Sequence, residues 1–418
     1  VPVTPRAPGG RRRGAAPLLL SVAAQAAGNL VLHALVGRRL PAGDYGALGT
    51  VLAVMTMLAL PLVAVQAAAS AMIVEGGPVR RTVAGTLRVT TGTGAFGAGL
   101  LLAGAAQLAA FFHLASVADA LVLAPFALVA PPLAAVRGML LGLARTGSVA
   151  VSYLAGTVTR LVLGVALVGG LGLRGVLAAT VLAEAASLGV VVVAARRAAT
   201  EPGSGARLRL AAVTRSGVAV SGLFVLSTVD LLLARHYLPG AASGGYVAAA
   251  TIGKTVLAVP AAAMSVVFPR LVTAWPGPGR LAVLGRSAAV VCGTALLGGV
   301  AVALVPGLVL RVLYGDSFAG QGGLVRALVL IAAVSSVVSL CTYCALARAA
   351  RTMLLPWAAA TAEVALIATW HGSAAVLAAD SAAATAAAIL ALVLSELPAW
   401  GRRRAWRFMP DSGEDNQG

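Results

Sequence analysis

Apolar residues run through this chain in long blocks, separated by short polar or basic interruptions. Runs near 15–36, 46–74, 84–111, 118–143, 148–169, 175–195, 211–234, 246–273, 287–310, 324–346, 353–371 and 373–397 each offer the roughly 20 residues that carry a helix across a bilayer. The pattern predicts an all-α polytopic membrane protein of about 12 transmembrane helices. The first run follows Arg6, Arg11, Arg12 and Arg13 and contains Ala24, Gln25 and Ala26, which together imitate a secretory signal with an A-x-A cleavage site. Its apolar character continues past that site to Val36, which favours a retained first helix.

Composition agrees with the pattern. The chain is 60% hydrophobic and 11% charged, whereas a soluble domain averages about 25% charged residues. Its net charge of +18 would point to nucleic acid in a soluble protein. Here the charge is explained by its distribution between loops. With the N-terminus inside, 22 of the 31 basic residues fall in cytoplasmic segments and 6 outside, leaving Arg137, Arg160 and Lys254 within helices. That asymmetry predicts a multi-pass plasma-membrane protein with both termini cytoplasmic and no nucleic-acid partner. Cys341 and Cys344 have CxxC spacing, but on an apolar helix without a nearby His they read as packing residues rather than as metal ligands.

The halves of the chain echo each other. Arg38, Arg39, Leu40 and Pro41, followed by Tyr45 and Pro61, recur as Arg235, His236, Tyr237, Leu238 and Pro239, followed by Tyr246 and Pro260. Gly142, Leu143, Ala144 and Arg145 recur as Ala345, Leu346, Ala347 and Arg348. Six helices per half is an even number, so both halves share one topology and are related by a pseudo-two-fold axis along the membrane normal. The expected organisation is a basic N-terminus (1–14), an N-lobe of helices 1–6 (15–200), a linker (201–210), a C-lobe of helices 7–12 (211–400) and a polar cytoplasmic tail (401–418).

Lys254, the single lysine of the chain, lies inside the eighth run. Helical geometry puts it about 12 Å below Tyr246, a depth at which a charge is costly and marks a functional site with a partner. Its helical face carries Val247, Ala250, Thr251, Leu257, Ala258 and Ala261, mostly small, as a cavity wall or a close helix contact requires. Asp230, Glu363, Glu184 and Asp380 are the intramembrane acids, set against Lys254, Arg160 and Arg137. They stand as candidates for ion coupling to H+ or Na+, or as structural counter-charges that lower the cost of burial. Arg137, near the inner end of helix 4, can snorkel to the cytoplasmic interface. His33, His113, His236 and His371 fall near outer helix ends and read as interface residues.

The Arg-x-Leu-Pro turn with Asp44, Tyr45 and Gly46 resembles the polysaccharide-biosynthesis flippases of the multidrug/oligosaccharidyl-lipid/polysaccharide exporter superfamily. So does Asp230 ahead of Arg235, followed by Gly245, Tyr246, Ile252, Gly253, Lys254, Pro260, Val267, Phe268, Pro269 and Arg270. The resemblance extends over roughly residues 15–400 and is strongest in helices 1–2 and 7–8. It implies a MATE-like fold and movement of an undecaprenyl-diphosphate-linked oligosaccharide from the inner to the outer leaflet by alternating access, in contact with membrane lipids. It further implies that Lys254, matching a basic residue before the helix 8 proline, binds substrate, and that Arg38 and Arg39 receive the head group near the outer rim. Arg160 joins them as a candidate substrate-binding residue. Arg38 and Arg39 also read as interfacial anchors, and Lys254 as the ion-pair partner of Asp230 or Glu363. The related lipid II flippases usually carry fourteen helices and a denser arginine cluster.

Two other functions fit parts of the sequence. A cation-coupled multidrug exporter of the same superfamily needs a buried carboxylate site, which Asp230, Glu363 or Asp380 would supply. A membrane glycosyltransferase or polymerase needs a large outer loop bearing acids or His, and the longest, near 311–323, offers Asp316 alone. With no nucleotide, metal or nucleophile motif in view, the sequence predicts a transporter without cofactor or covalent chemistry.

Overall fold

The computed structural model describes residues 11–74, 79–198, 210–274, 279–348 and 350–406, in which sixteen α-helices and two short 3-10 turns are found. The first two apolar runs become α1 (Arg11–Gly37) and α2 (Ala42–Val74). The third and fourth are each interrupted, giving α3 (Val79–Ala103) and α4 (Ala105–Phe111), then α5 (Val117–Leu121) and α6 (Leu123–Gly142). The break at Gly104 bends its run by 59°.

The fifth and sixth runs are continuous in α7 (Thr146–Ala198), whose 53 residues would make a rod of about 80 Å. They do not form one. At Gly172 the backbone leaves the helix (φ 55°, ψ −136°), a region that a Cβ would forbid. The two arms then run back along each other: Ser187 Oγ donates to Ser152 O at 2.9 Å, and Gly175 sits against Leu167. This is an antiparallel helical hairpin, so α7 supplies two passes.

The second half follows as α8 (Leu210–Leu226), α9 (Val229–Tyr237), α10 (Gly240–Val256), α11 (Ala258–Ala274), α12 (Arg280–Leu304), α13 (Pro306–Tyr314), α14 (Gly322–Ala347), α15 (Leu355–Thr369) and α16 (Ala374–Trp406). Among the described residues, nine helical segments are long and apolar enough to cross a membrane, or ten with the bent pair α3 and α4 taken as one span. Counting α7 twice and α10 with α11 as one interrupted pass, every one of the twelve apolar runs has a helical counterpart.

The helices depart from the bounds of the apolar runs in three places. Arg11, Arg12 and Arg13 form the first turn of α1, ahead of the first apolar run. Residues 401–406, expected in a polar tail, continue α16. Arg, Ala and Leu are good helix formers, and the helices continue in spite of Gly14 and Pro17 in α1 and Pro398 and Gly401 in α16. The eighth run is not one helix: Pro260 cannot donate to the carbonyl four residues back and its ring crowds that turn, and the run divides at Leu257. Arg6, Arg207, Arg209 and the acidic end of the tail lie outside the described residues.

The two halves meet along α2 and α10. Gly43 stands against Gly240, Gly46 against Ser243 and Gly49 against Val247, each partner 197 or 198 residues further along the chain. Leu40 and Pro41 are separated from Leu238 and Pro239 by the same 198 residues. Successive positions of α2 meet successive positions of α10, so the two helices run parallel and their shared axis lies on the seam between the halves. Small residues allow the approach. A Cβ on Gly46 would come within 2.8 Å of Ser243 Oγ. The surrounding core, with Tyr45, Leu48, Val51, Tyr246, Val247 and Ala248 all at or below 2% exposure, is shared by both halves.

Hydrogen bonds between the halves gather at one end of this axis, the end expected to face outward. Arg235 donates to the carbonyls of Phe112 (2.9 Å), His113 (2.8 Å) and Gly43 (3.2 Å). Tyr45 donates to Tyr314 at 3.1 Å, and Arg38 donates to Leu313 O at 3.0 Å and also to Val312 O. His236 Nδ1 lies 2.7 Å from Phe111 O and its ring stacks on Phe111. The seam is closed at this end.

Candidate functional site

The site is built from two interrupted helices. The seventh run breaks at Ser227 and Thr228, where Thr228 leaves helical geometry (φ −139°, ψ −22°), and Asp230 falls in the first turn of α9. The eighth run breaks at Leu257, one turn beyond Lys254. Irregular backbone at membrane depth is tolerated where it is covered by protein or lines a wet cavity. Here it lines a cavity of about 50 Å³ enclosed by α8, α9, α10, α14, α15 and α16. That volume holds a few water molecules.

Lys254, Asp230 and Glu363 all open onto this cavity, together with Ser335, Ser381 and Thr385. Lys254 Nζ donates to Thr228 Oγ1 at 3.3 Å. Among the described residues no ion pair joins Lys254 to either acid. Asp230 Oδ2 accepts from Tyr246 OH at 2.9 Å, and Glu363 Oε1 accepts a hydrogen bond from Ser381 Oγ. The second oxygens, Asp230 Oδ1 and Glu363 Oε2, are buried without a hydrogen-bond partner from the protein. Glu363 is 1% exposed and Asp230 8%. The result is one ammonium and two half-satisfied carboxyls around a polar hole, inside an otherwise apolar bundle. Asp380, next to Ser381 on α16, is buried with Oδ2 unpartnered but does not line the cavity.

The N-lobe candidates are placed elsewhere. Arg160 donates from NH1 to Asn29 Oδ1 at 2.9 Å, and its Nε is buried without a partner. Glu184 is on the opposite arm of the same hairpin, near the level of Arg160, within its electrostatic reach. Arg160 and Lys254 both act electrostatically on His33, so one cation from each half approaches this part of the seam. His33 Nδ1 is 2.9 Å from Tyr45 OH. Arg38 and Arg39 do not join the cavity. Arg38 caps the last carbonyls of α13, and Arg39 donates to Val165 O at 3.0 Å. Arg137 is held within the bundle, with Nε 3.1 Å from Ser152 Oγ and its guanidinium 4.1 Å over the Tyr153 ring. His113, His236 and His371 share one aromatic row with Phe111 and Tyr237.

Sequence reasoning missed Thr228, Tyr246 and Ser381 as partners of the charged groups, and Arg235 as a link between the halves. Ser227 and Thr228 before Asp230, inside an apolar run, carried a signal of a helix break. Nothing in the sequence placed Ser381 opposite Glu363, because that contact joins separate helices.

No family model and no curated protein matches this chain. Solved structures do. An inward-facing multidrug resistance MATE family transporter of the MOP superfamily aligns over 93% of this chain and 96% of its own, at 15% identity and a TM-score of 0.67. The lipid II flippase MurJ, in an inward closed conformation, aligns over 90% and 87%, at 11% identity and a TM-score of 0.69. A MOP superfamily transporter from Pyrococcus furiosus, described as having a binding pocket of reverse polarity, aligns over 93% of each chain at 18% identity and a TM-score of 0.53. At such identities the likeness defines the fold. The chain is an all-helical polytopic membrane protein with the architecture common to MATE transporters and the lipid II flippase.

Proposed function

We propose that this chain is a membrane transporter that flips an undecaprenyl-diphosphate-linked oligosaccharide from the inner to the outer leaflet of the plasma membrane by alternating access, with both termini cytoplasmic. The observation that carries the reading is the state of Lys254. Its ammonium faces a cavity, with a threonine hydroxyl as its hydrogen-bond partner and no ion pair among the described residues. A cation held this way favours an anionic ligand, and a diphosphate needs donors and positive field more than a fixed geometry. Arg160, on the opposite half and with a buried unpartnered Nε, supplies a second cation on the way to the seam. The oligosaccharide would lie in the wet cleft between the halves while the lipid tail stays in the bilayer. The fold shared with a MATE transporter and with the lipid II flippase supports the reading.

Asp230 and Glu363 favour a second reading, a cation-coupled multidrug exporter, because the same cavity offers two buried carboxyls with unpartnered oxygens. Export of glycan in cells, with the amount of membrane-inserted protein quantified, separates the two. Lys254→Arg is expected to retain most export, whereas Lys254→Ala and Lys254→Glu lose it at normal protein levels. A host that gains resistance to cationic dyes from the wild-type protein, with glycan export indifferent to Lys254, would favour the exporter.

A further inference from the structure

The cavity holds one more acid than base, and this has a thermodynamic consequence for anything that binds there. Facing Lys254 are Asp230 on α9 and Glu363 on α15, with Tyr246 on α10 bonded to Asp230 and Ser381 on α16 bonded to Glu363. Asp380 lies beside Ser381 behind the cavity wall, and α14 contributes Ser335 and apolar residues. His33 of α1 is the remaining titratable group within electrostatic reach of Lys254. Among the described residues each carboxyl has one oxygen bonded to a hydroxyl and one, Asp230 Oδ1 or Glu363 Oε2, without a hydrogen bond, the Asp230 carboxyl also feeling the amides of Leu231 and of its own residue at the start of α9. The field of Lys254 reaches Asp230, and Asp230 in turn reaches Glu363, so a charge on this pair is tolerated only while the lysine faces it unscreened. An anionic ligand that engages Lys254 withdraws that field.

We propose that an anionic head group binding at Lys254 draws a proton from solution onto the Asp230–Glu363 pair. The proton adds to Asp230 Oδ1 or Glu363 Oε2, giving a neutral carboxylic acid, while Lys254 keeps its own three hydrogens and turns them to the ligand. Anion and proton then occupy the cavity together, and the cavity gains one negative charge fewer than the ligand carries. This rests on the anion-binding reading above and adds the coupling ion to it. The coupling also has a direction: the anion is held more tightly when protons are abundant, and released more readily where they are scarce.

The test is calorimetric titration of the purified full-length protein in detergent with farnesyl diphosphate, a short isoprenyl diphosphate. Titrations at one pH in buffers of different ionisation enthalpy give the number of protons exchanged per ligand bound. Wild-type protein is expected to take up about one proton more than Asp230→Asn/Glu363→Gln protein, and its affinity to fall about tenfold more steeply per unit rise in pH. The variant also subtracts the ligand's own proton exchange. Glu363→Gln alone serves as a second variant should the double change unfold the protein, and is expected to lower the uptake. Equal proton numbers in wild type and variants, with binding intact, would overturn the proton coupling and leave the anion site standing. Absence of farnesyl diphosphate binding to the wild type, or binding unaffected by Lys254→Ala, would overturn the anion reading and this inference with it.

Discussion

At the scale of the residue, the roles of Lys254 are separable because its neighbours are now known. If the lysine served only to neutralise an acid, its removal would strand Asp230 and Glu363, and removal of an acid along with it would restore folding. The bonding pattern argues for a different balance. Each acid has its own hydroxyl donor, Tyr246 or Ser381, so neither depends on Lys254 for its hydrogen bonds. Asp230, losing its counter-charge, can take up a proton instead, so Lys254→Met is expected to reach the membrane at no less than about half the wild-type amount. Adding Asp230→Asn or Glu363→Gln should give back little protein and no export. Immunoblots of membrane fractions check this. A severe loss in Lys254→Met protein that the second change repairs would return the lysine to a structural role. Arg38 and Arg39 are placed differently, with Arg38 donating to the last carbonyls of α13 and Arg39 to Val165 O, away from the cavity.

At the scale of the element, most of the architecture was legible in the hydrophobic pattern, and the breaks within it were not. Runs of apolar residues mark what the bilayer solvates, and they place a helix wherever one exists. They do not reveal where that helix bends. Pro61 sits within a continuous α2, whereas Pro260 accompanies a division of its run at Leu257. Gly172 was equally silent, one of several glycines between two apolar runs, yet it alone among them has positive φ. The cavity lies at two such breaks, which explains why Lys254 could be singled out from sequence and its partner Thr228 could not. Gly172 also gives a clean test of the hairpin. A Cβ there has open space around it, so the cost of Gly172→Val is backbone strain, of about 1–3 kcal/mol. The melting midpoint in detergent should fall for Gly172→Val and stay unchanged for Gly170→Ala, which also has open space. Equal midpoints would mean that the arms do not turn at Gly172.

At the scale of the whole molecule, the two halves of the chain meet along the parallel pair α2 and α10, and the bonds between them collect at one end. A charged cavity at membrane depth beside a seam that is closed at one end is the arrangement alternating access requires. Opening the closed end would break the Arg235 and Tyr45 bonds and leave the cavity's lysine exposed to the other side. The central claim is that Lys254 serves the passage of a lipid diphosphate. Its most direct test is reconstitution of purified protein into liposomes with a fluorescent polyprenyl-diphosphate oligosaccharide, following how much substrate becomes accessible to a membrane-impermeant quencher over time. Wild-type and Lys254→Arg protein should move the substrate faster than protein-free liposomes, with Lys254→Ala protein at the protein-free rate. Equal movement by wild-type and well-incorporated Lys254→Ala protein would contradict the account.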